Sequence, residues 1–132
     1  MSVGNRILDS EHKKLHDIIN EITNSVAAGN VAALSAAFEL LENGLCAYFA
    51  VEESIAQALD FDFNQHKLAH QNLLKRFLHA KDGLMANNGG WSKSEKKDYI
   101  VYLRGCLVRH IKEDDKPFKI VLSAQFYDFK PG

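Results

Sequence analysis

Apolar side chains recur at helical spacing along most of the chain. In the stretch 8–28 the apolar positions lie three or four residues apart, which is the spacing of one face of an α-helix. Asp9 or Ser10 is a suitable N-cap for this helix. The stretches 31–59 and 64–86 repeat the pattern, so the sequence predicts a helix in each of them.

A fourth helix is predicted near the end of the chain. Ser92 and Glu95 have the spacing of a capping box, and the helical pattern runs from there to Asp115 or Lys116. We expect Pro117 to end or kink this helix, because the residue before a proline is disfavoured in helical geometry. The remaining tail carries three aromatic residues, and we expect it to fold back on the helices.

Short polar breaks separate the four predicted helices, notably at 29–30 and 87–90. Helices of similar length joined by short loops favour an all-α, up-down-up-down four-helix bundle. The 132 residues are enough for one ordinary domain, so we expect a single domain over 1–132.

Composition narrows the classes of partner. The 16 basic and 17 acidic residues nearly cancel and are scattered, so we expect no nucleic-acid partner and no attraction to a membrane surface. No uninterrupted apolar run approaches the roughly 20 residues that cross a bilayer. Two cysteines without Cys-x-x-Cys spacing do not indicate a disulfide framework, and the default expectation is a cytoplasmic protein.

Each predicted helix carries two possible metal donors on or beside its apolar face. Residues four apart on a helix share a face, and a polar group on a core-facing stripe is costly unless it is paired or binds an ion. Imidazoles combined with carboxylates suit iron better than zinc, manganese or copper. The four pairs are His12 and His16, Tyr48 and Glu52, His66 and His70, and His110 and Asp115.

The fourth pair is spaced differently from the others. Five residues correspond to about 140° on a regular α-helix, which would point His110 and Asp115 in different directions. We expect the last turn before Pro117 to loosen, so that the carboxylate swings inward. His79 lies about 180° around the helix from His70, and we expect it to face solvent.

These residues match a known pattern in the same order over nearly the whole chain. The segments that carry the resemblance are 2–15, Tyr48-Phe49-Ala50-Val51-Glu52-Glu53, His66-x-x-x-His70 and His110-x-x-x-x-Asp115. Taken together, they resemble bacterial hemerythrin. The resemblance implies two iron ions joined by an oxo or hydroxo bridge, with a small gaseous ligand. One iron would take His66, His70 and His110, the second would take His12, and Glu52 and Asp115 would bridge the two.

The chain departs from this pattern at Tyr48, where the family has a further histidine ligand. Three interpretations stay open at this point. His16 replaces the missing ligand, Tyr48 itself binds as a tyrosinate, or the second iron is weakly held or absent. A Tyr48 that does not bind metal could still donate a hydrogen bond to bound oxygen, because a buried phenol needs a partner.

The residues around the expected site keep an apolar character. By the resemblance, Leu15, Phe49, Leu107 and Ile111 occupy positions that line the family's dry ligand pocket. Cys106 stands where many relatives carry a tryptophan, and a smaller residue there could open the pocket to larger ligands or to solvent. The alternative is that Cys106 is simply a small buried hydrophobe.

The resemblance implies a protein that binds dioxygen as a carrier, a store or a sensor. The alternative is a redox protein that reacts with peroxide or nitric oxide, which the changed ligand set would favour. A helical interaction module without metal is the third hypothesis, and the convergent histidines argue against it. The pattern does not determine the oligomeric state.

Overall fold

The computed structural model of the chain describes residues 2–131, and all regular structure within that range is helical. A π-helical turn, His110–Asp114, lies between the last two of five α-helices. The α-helices are α1 Arg6–Ala28, α2 Val31–Ala58, α3 Asn64–Ala86, α4 Lys93–Arg109 and α5 Lys116–Leu122.

The four long helices enclose one core. α1 packs against α2 and α4, and α3 packs against the same two helices, so the contacts form a closed ring. Every helix contributes fully buried apolar side chains, including Phe38 of α2 and Phe77 of α3. The all-helical class is as the sequence predicted, while the up-down-up-down order of the long helices stays a prediction.

The start of α1 differs from the sequence prediction. Neither Asp9 nor Ser10 is the N-cap; the helix begins at Arg6, and Asn5 caps it by accepting hydrogen bonds from the backbone amides of Ile7 and Leu8. The Asn5 side chain is fully buried, and its amide also donates to the carbonyl of Phe129, 3.1 Å away. Asn5 therefore joins the first helix to the C-terminal tail.

Replacement of Asn5 with alanine should lower the free energy of unfolding by about 1–2 kcal/mol, because the cap and a buried hydrogen bond are lost together. Ser10→Ala is the matched control: Ser10 is exposed, and its replacement should change stability by less than about 0.5 kcal/mol. Urea denaturation of the two variants measures both values. Equal stability of the two variants would show that Asn5 is not the cap.

Pro117 neither ends nor kinks α4 as predicted, because α4 already ends at Arg109 and a new helix, α5, begins at Lys116. It lies in the first turn of α5, where its missing amide proton costs no hydrogen bond. The short helix buries Phe118 and Leu122 against the core. Farther along, the Tyr127 hydroxyl donates to the carboxylate of Asp9 at 2.8 Å, so the tail folds back on α1 as expected.

By length and composition alone, α2 is apolar enough to cross a membrane. The core helix of a helical protein has the same properties, and α2 buries one face that includes Leu34, Leu41 and the charged side chain of Glu52. The expectation that the chain does not contact a membrane stays a prediction.

Candidate metal centre

Five buried side chains from two α-helices, the π-helical turn and the residue that follows this turn converge inside the ring of helices. Their ligand atoms all lie within 4.8 Å of one another, and all five residues are at most 6% exposed. α2 supplies one carboxylate, α3 supplies two imidazoles, and the end of α4 with the residues that follow supplies an imidazole and a carboxylate. The five residues are Glu52, His66, His70, His110 and Asp115.

The π-helical turn explains how His110 and Asp115 reach the same point. The amide of Asp115 donates to the carbonyl of His110 at 3.0 Å, a hydrogen bond that spans five residues instead of four. One turn of π-helix holds about one residue more than a turn of α-helix, so residues five apart share a face there. The sequence predicted that Asp115 turns inward, but the cause is this turn and not a loosened helix end.

The donor atoms of this group lie close together without forming hydrogen bonds. Nε2 of His66 is 2.6 Å from Oε2 of Glu52 and 2.8 Å from Oδ1 of Asp115, and Nε2 of His110 is 3.3 Å from the same Asp115 oxygen. Yet none of these atoms has a hydrogen-bond partner among the described residues. Buried polar atoms are rarely left in this way, whereas ligand atoms around a common cation have this arrangement.

The buried carboxylates and imidazoles of this group shift one another's pKa values. Burial opposes the charged form of His66, but the carboxylates of Asp115 and Glu52 outweigh it and raise the pKa of His66 to about 9. Burial would raise the pKa of Asp115, yet the neighbouring imidazoles, His110 first, hold it well below its ordinary value. The pKa of His70 is lowered, chiefly by burial. The metal-free centre therefore holds anionic carboxylates beside a protonated His66 at neutral pH.

Metal uptake at about pH 7 should release at least one proton, because an ion binds the neutral form of an imidazole and His66 has a pKa of about 9. Between about pH 7 and 9 the apparent metal affinity should rise by about tenfold per pH unit. Calorimetric titration in two buffers of different ionisation enthalpy counts the protons. A heat of binding that does not depend on the buffer would contradict this assignment.

The raised pKa of His66 also determines how the stability of the metal-free protein changes with pH. The pKa of His66 in the folded chain lies above the ordinary value of 6.5. Protonated His66 therefore stabilises the metal-free fold fully below about pH 6.5, and this contribution is lost as the pH rises through about 9.

His12 lies at the edge of the five-residue group, next to Tyr48. Nε2 of His12 is 2.7 Å from the Tyr48 hydroxyl, which donates in turn to Oδ2 of Asp115 at 2.5 Å. Tyr48 is fully buried, and burial, together with the carboxylates of Glu52 and Asp115, raises its pKa well above the usual value. The phenol is therefore a neutral hydrogen-bond donor in the metal-free centre.

His16 is placed differently from His12, although both are on α1. It is only half-buried and is not part of the five-residue group. The buried positions of α1 follow steps of four and three through Leu8, His12, Leu15 and Ile19, and His16 falls just outside this register. His79 is exposed, as predicted from its rotation away from His70.

The predicted pocket residues lie in the same core. Leu15, Leu107 and Ile111 are buried, and Phe49 is half-buried with its ring stacked on His70 at a centroid distance of 3.8 Å. Cys106 is also buried, and it lines a cavity of about 510 Å³ together with Arg76 and Arg109. Whether this cavity serves a ligand stays a prediction.

Sequence reasoning missed two features beside the centre. Asp114 contacts Nδ1 of His110 at 3.0 Å, a contact that fixes which ring nitrogen of His110 faces the centre. Its position four residues after His110 was the available signal. In addition, a cavity of about 240 Å³ leads toward His66 and is lined by Asp62, Glu113 and Asp114. These carboxylates give cations an acidic approach to the buried histidines.

Three imidazoles and two carboxylates buried at one point among the helices of residues 2–131 form a group that can hold a metal ion, which indicates a helical metal-binding protein. The family comparison agrees with this class. The family model of the hemerythrin HHE cation binding domain matches residues 3–119, and the chain belongs to this family.

The chain is similar to proteins named bacteriohemerythrin and hemerythrin-like protein. A bacteriohemerythrin from Methylococcus capsulatus is 27% identical over 123 residues, which cover 88% of this chain and 86% of that protein. A hemerythrin-like protein from Naegleria gruberi is 30% identical, with 91% of this chain and 87% of that protein covered. A bacteriohemerythrin from Pseudomonas aeruginosa is 24% identical, covering 87% and 72%. No solved structure gives a significant match.

Proposed function

We propose that the chain is a non-haem iron protein that binds dioxygen reversibly at its buried centre, as a carrier, a store or a sensor. One observation carries the metal assignment: six buried donor atoms of the five-residue group face one another without a hydrogen-bond partner within residues 2–131. Three imidazole nitrogens with carboxylate oxygens form a donor set that suits iron. Bound iron would supply the reversible one-electron chemistry that dioxygen binding needs.

The chain's own groups fit this role. Asp114 orients His110, and the ring of Phe49 stacks on His70, so two of the three imidazoles are held in place by neighbours. Buried Leu15, Leu107 and Ile111 keep the surroundings apolar and limit the access of water. Such an environment favours release of the ligand unchanged over loss of a reduced oxygen species to solvent.

Tyr48 supports a second candidate function, a redox protein that reacts with peroxide or nitric oxide. Its hydroxyl is a buried donor that touches both His12 and Asp115 at the centre. A proton held there can be passed to a reacting ligand, which helps reduction more than reversible binding.

One experiment separates the two candidates. The chain is loaded with ferrous iron under argon, exposed to air, and returned to argon while its visible spectrum is recorded. Reversible dioxygen binding predicts a spectrum that appears in air and disappears under argon over several cycles. A single irreversible change to ferric iron, or turnover of added hydrogen peroxide, would favour the second candidate. A chain that retains no iron would contradict both.

A further inference from the structure

We infer that the centre binds one metal ion tightly per chain, and that Tyr48 occupies the place from which a second ion would be bound. The inference rests on the proposed function, since it takes the five-residue group as a metal site. A single bound ion differs from the two ions that the resemblance to hemerythrin implies. It follows from which buried polar atoms satisfy one another and which do not.

Apart from Nδ1 of His12, the buried side-chain atoms without hydrogen-bond partners in residues 2–131 lie on the three-histidine side of the centre. They are Nε2 of His66, His70 and His110, Oδ1 of Asp115 and both carboxylate oxygens of Glu52. The closest imidazole contacts of both Glu52 oxygens are on this side as well: Oε2 is 2.6 Å from His66, and Oε1 is 3.4 Å from His70. A single ion here could take three nitrogens and oxygens from both carboxylates.

On the opposite side, Nε2 of His12, the Tyr48 hydroxyl and Oδ2 of Asp115 satisfy one another, and Nδ1 of His12 has no partner among the described residues. The Tyr48 hydroxyl donates to Oδ2 of Asp115 at 2.5 Å, so the hydrogen of the His12–Tyr48 contact, at 2.7 Å, has to come from Nε2 of His12. This places a proton on the His12 nitrogen that would otherwise bind metal. A second ion would have to break both hydrogen bonds of a fully buried phenol and displace protons from two groups.

The other histidine of α1, His16, does not belong to the buried face of this helix. His16 is half-buried and lies outside the group whose donor atoms are within 4.8 Å of one another. A second ion would therefore depend on His12, on the phenol and on oxygens already used by the first ion. This is too poor a donor set to compete with five ligands supplied by the chain.

The test is to count bound metal in the wild type and three variants. Each protein is incubated anaerobically with excess ferrous iron, desalted and measured for iron per chain. We expect about one ion for the wild type, and about two for Tyr48→His, which adds an imidazole and removes both phenol hydrogen bonds. Tyr48→Phe and the control His16→Phe should each keep about one ion. Circular dichroism verifies that each variant is folded.

Several results would overturn the inference. Two tightly bound ions in the wild type contradict it directly; loss of one of them in Tyr48→Phe would make Tyr48 a ligand, and loss in His16→Phe would make His16 the ligand. One ion in both the wild type and folded Tyr48→His would show that Tyr48 is not the cause. Should Tyr48→His not fold, a tyrosinate charge-transfer band in the ferric wild type would contradict the inference, and its absence would support it. No iron in any protein would instead contradict the proposed function.

Discussion

Replacement of Asp115 with asparagine is expected to abolish tight metal binding. Both carboxylate oxygens of Asp115 make contacts in the centre. Oδ1 lies near His66 and His110, and Oδ2 accepts the hydrogen bond from Tyr48. Asparagine keeps the size of the side chain but removes the negative charge, and its single oxygen cannot serve both the metal and the Tyr48 hydroxyl. We expect metal affinity to fall by more than about 100-fold, beyond the 10–100-fold typical of residues that only orient a ligand.

The neighbouring residue provides a matched control. Asp114 carries the same charge one position earlier, is exposed, and contacts only the outer nitrogen of His110 at 3.0 Å. Asp114→Asn should cost about 10-fold in affinity. A competition titration against a coloured chelator measures both variants. Equal losses in Asp114→Asn and Asp115→Asn would show that Asp115 acts through overall charge and not as a ligand.

Metal loading should raise the thermal stability of the chain strongly. Binding to the folded state alone adds about 4 kcal/mol at a free metal concentration 1,000 times Kd, which corresponds to a rise in Tm on the order of 10 °C for a domain of this size. Loading also relieves the crowding of two buried carboxylates, since the negative charge of Asp115 opposes the ionisation of Glu52. Calorimetric scans before and after treatment with a chelator measure the shift.

The variant Asp115→Asn should show little of this stabilisation, because it lacks the site. If the wild type and Asp115→Asn gained the same Tm on addition of iron, the stabilisation would come from surface binding. If neither changed, the five-residue group would not be a metal site.

The capping box of α4 and the burial of four histidines were foreseeable, whereas the π-helical turn was not. Ser92 and Glu95 form both hydrogen bonds of the capping box, since a local motif determines a helix start. The spacing between His110 and Asp115 was visible in the sequence as an inconsistency with α-helical rotation. Its resolution depends on how α4 and α5 pack around the centre, which is a tertiary effect.

The histidine pairs on α1 and α3 have the same spacing in the sequence, but the structure places their side chains differently. His66 and His70 both enter the centre, whereas only His12 of the pair on α1 is buried near it. Four residues of separation guarantee a shared face but leave a rotation of about 40°, and the position of the neighbouring helices decides whether both side chains point inward. The start of α1 at Asn5 was missed for a similar reason, since the tail residue Phe129 makes Asn5 a buried cap.

Diffraction from crystals of the iron-loaded chain, measured at the iron absorption edge, tests the metal centre most directly. We expect one strong anomalous peak within about 2.2 Å of Nε2 of His66, His70 and His110. A second peak of equal height beside Tyr48 would contradict the inference of a single ion. The absence of any peak among the three histidines would contradict the metal centre itself.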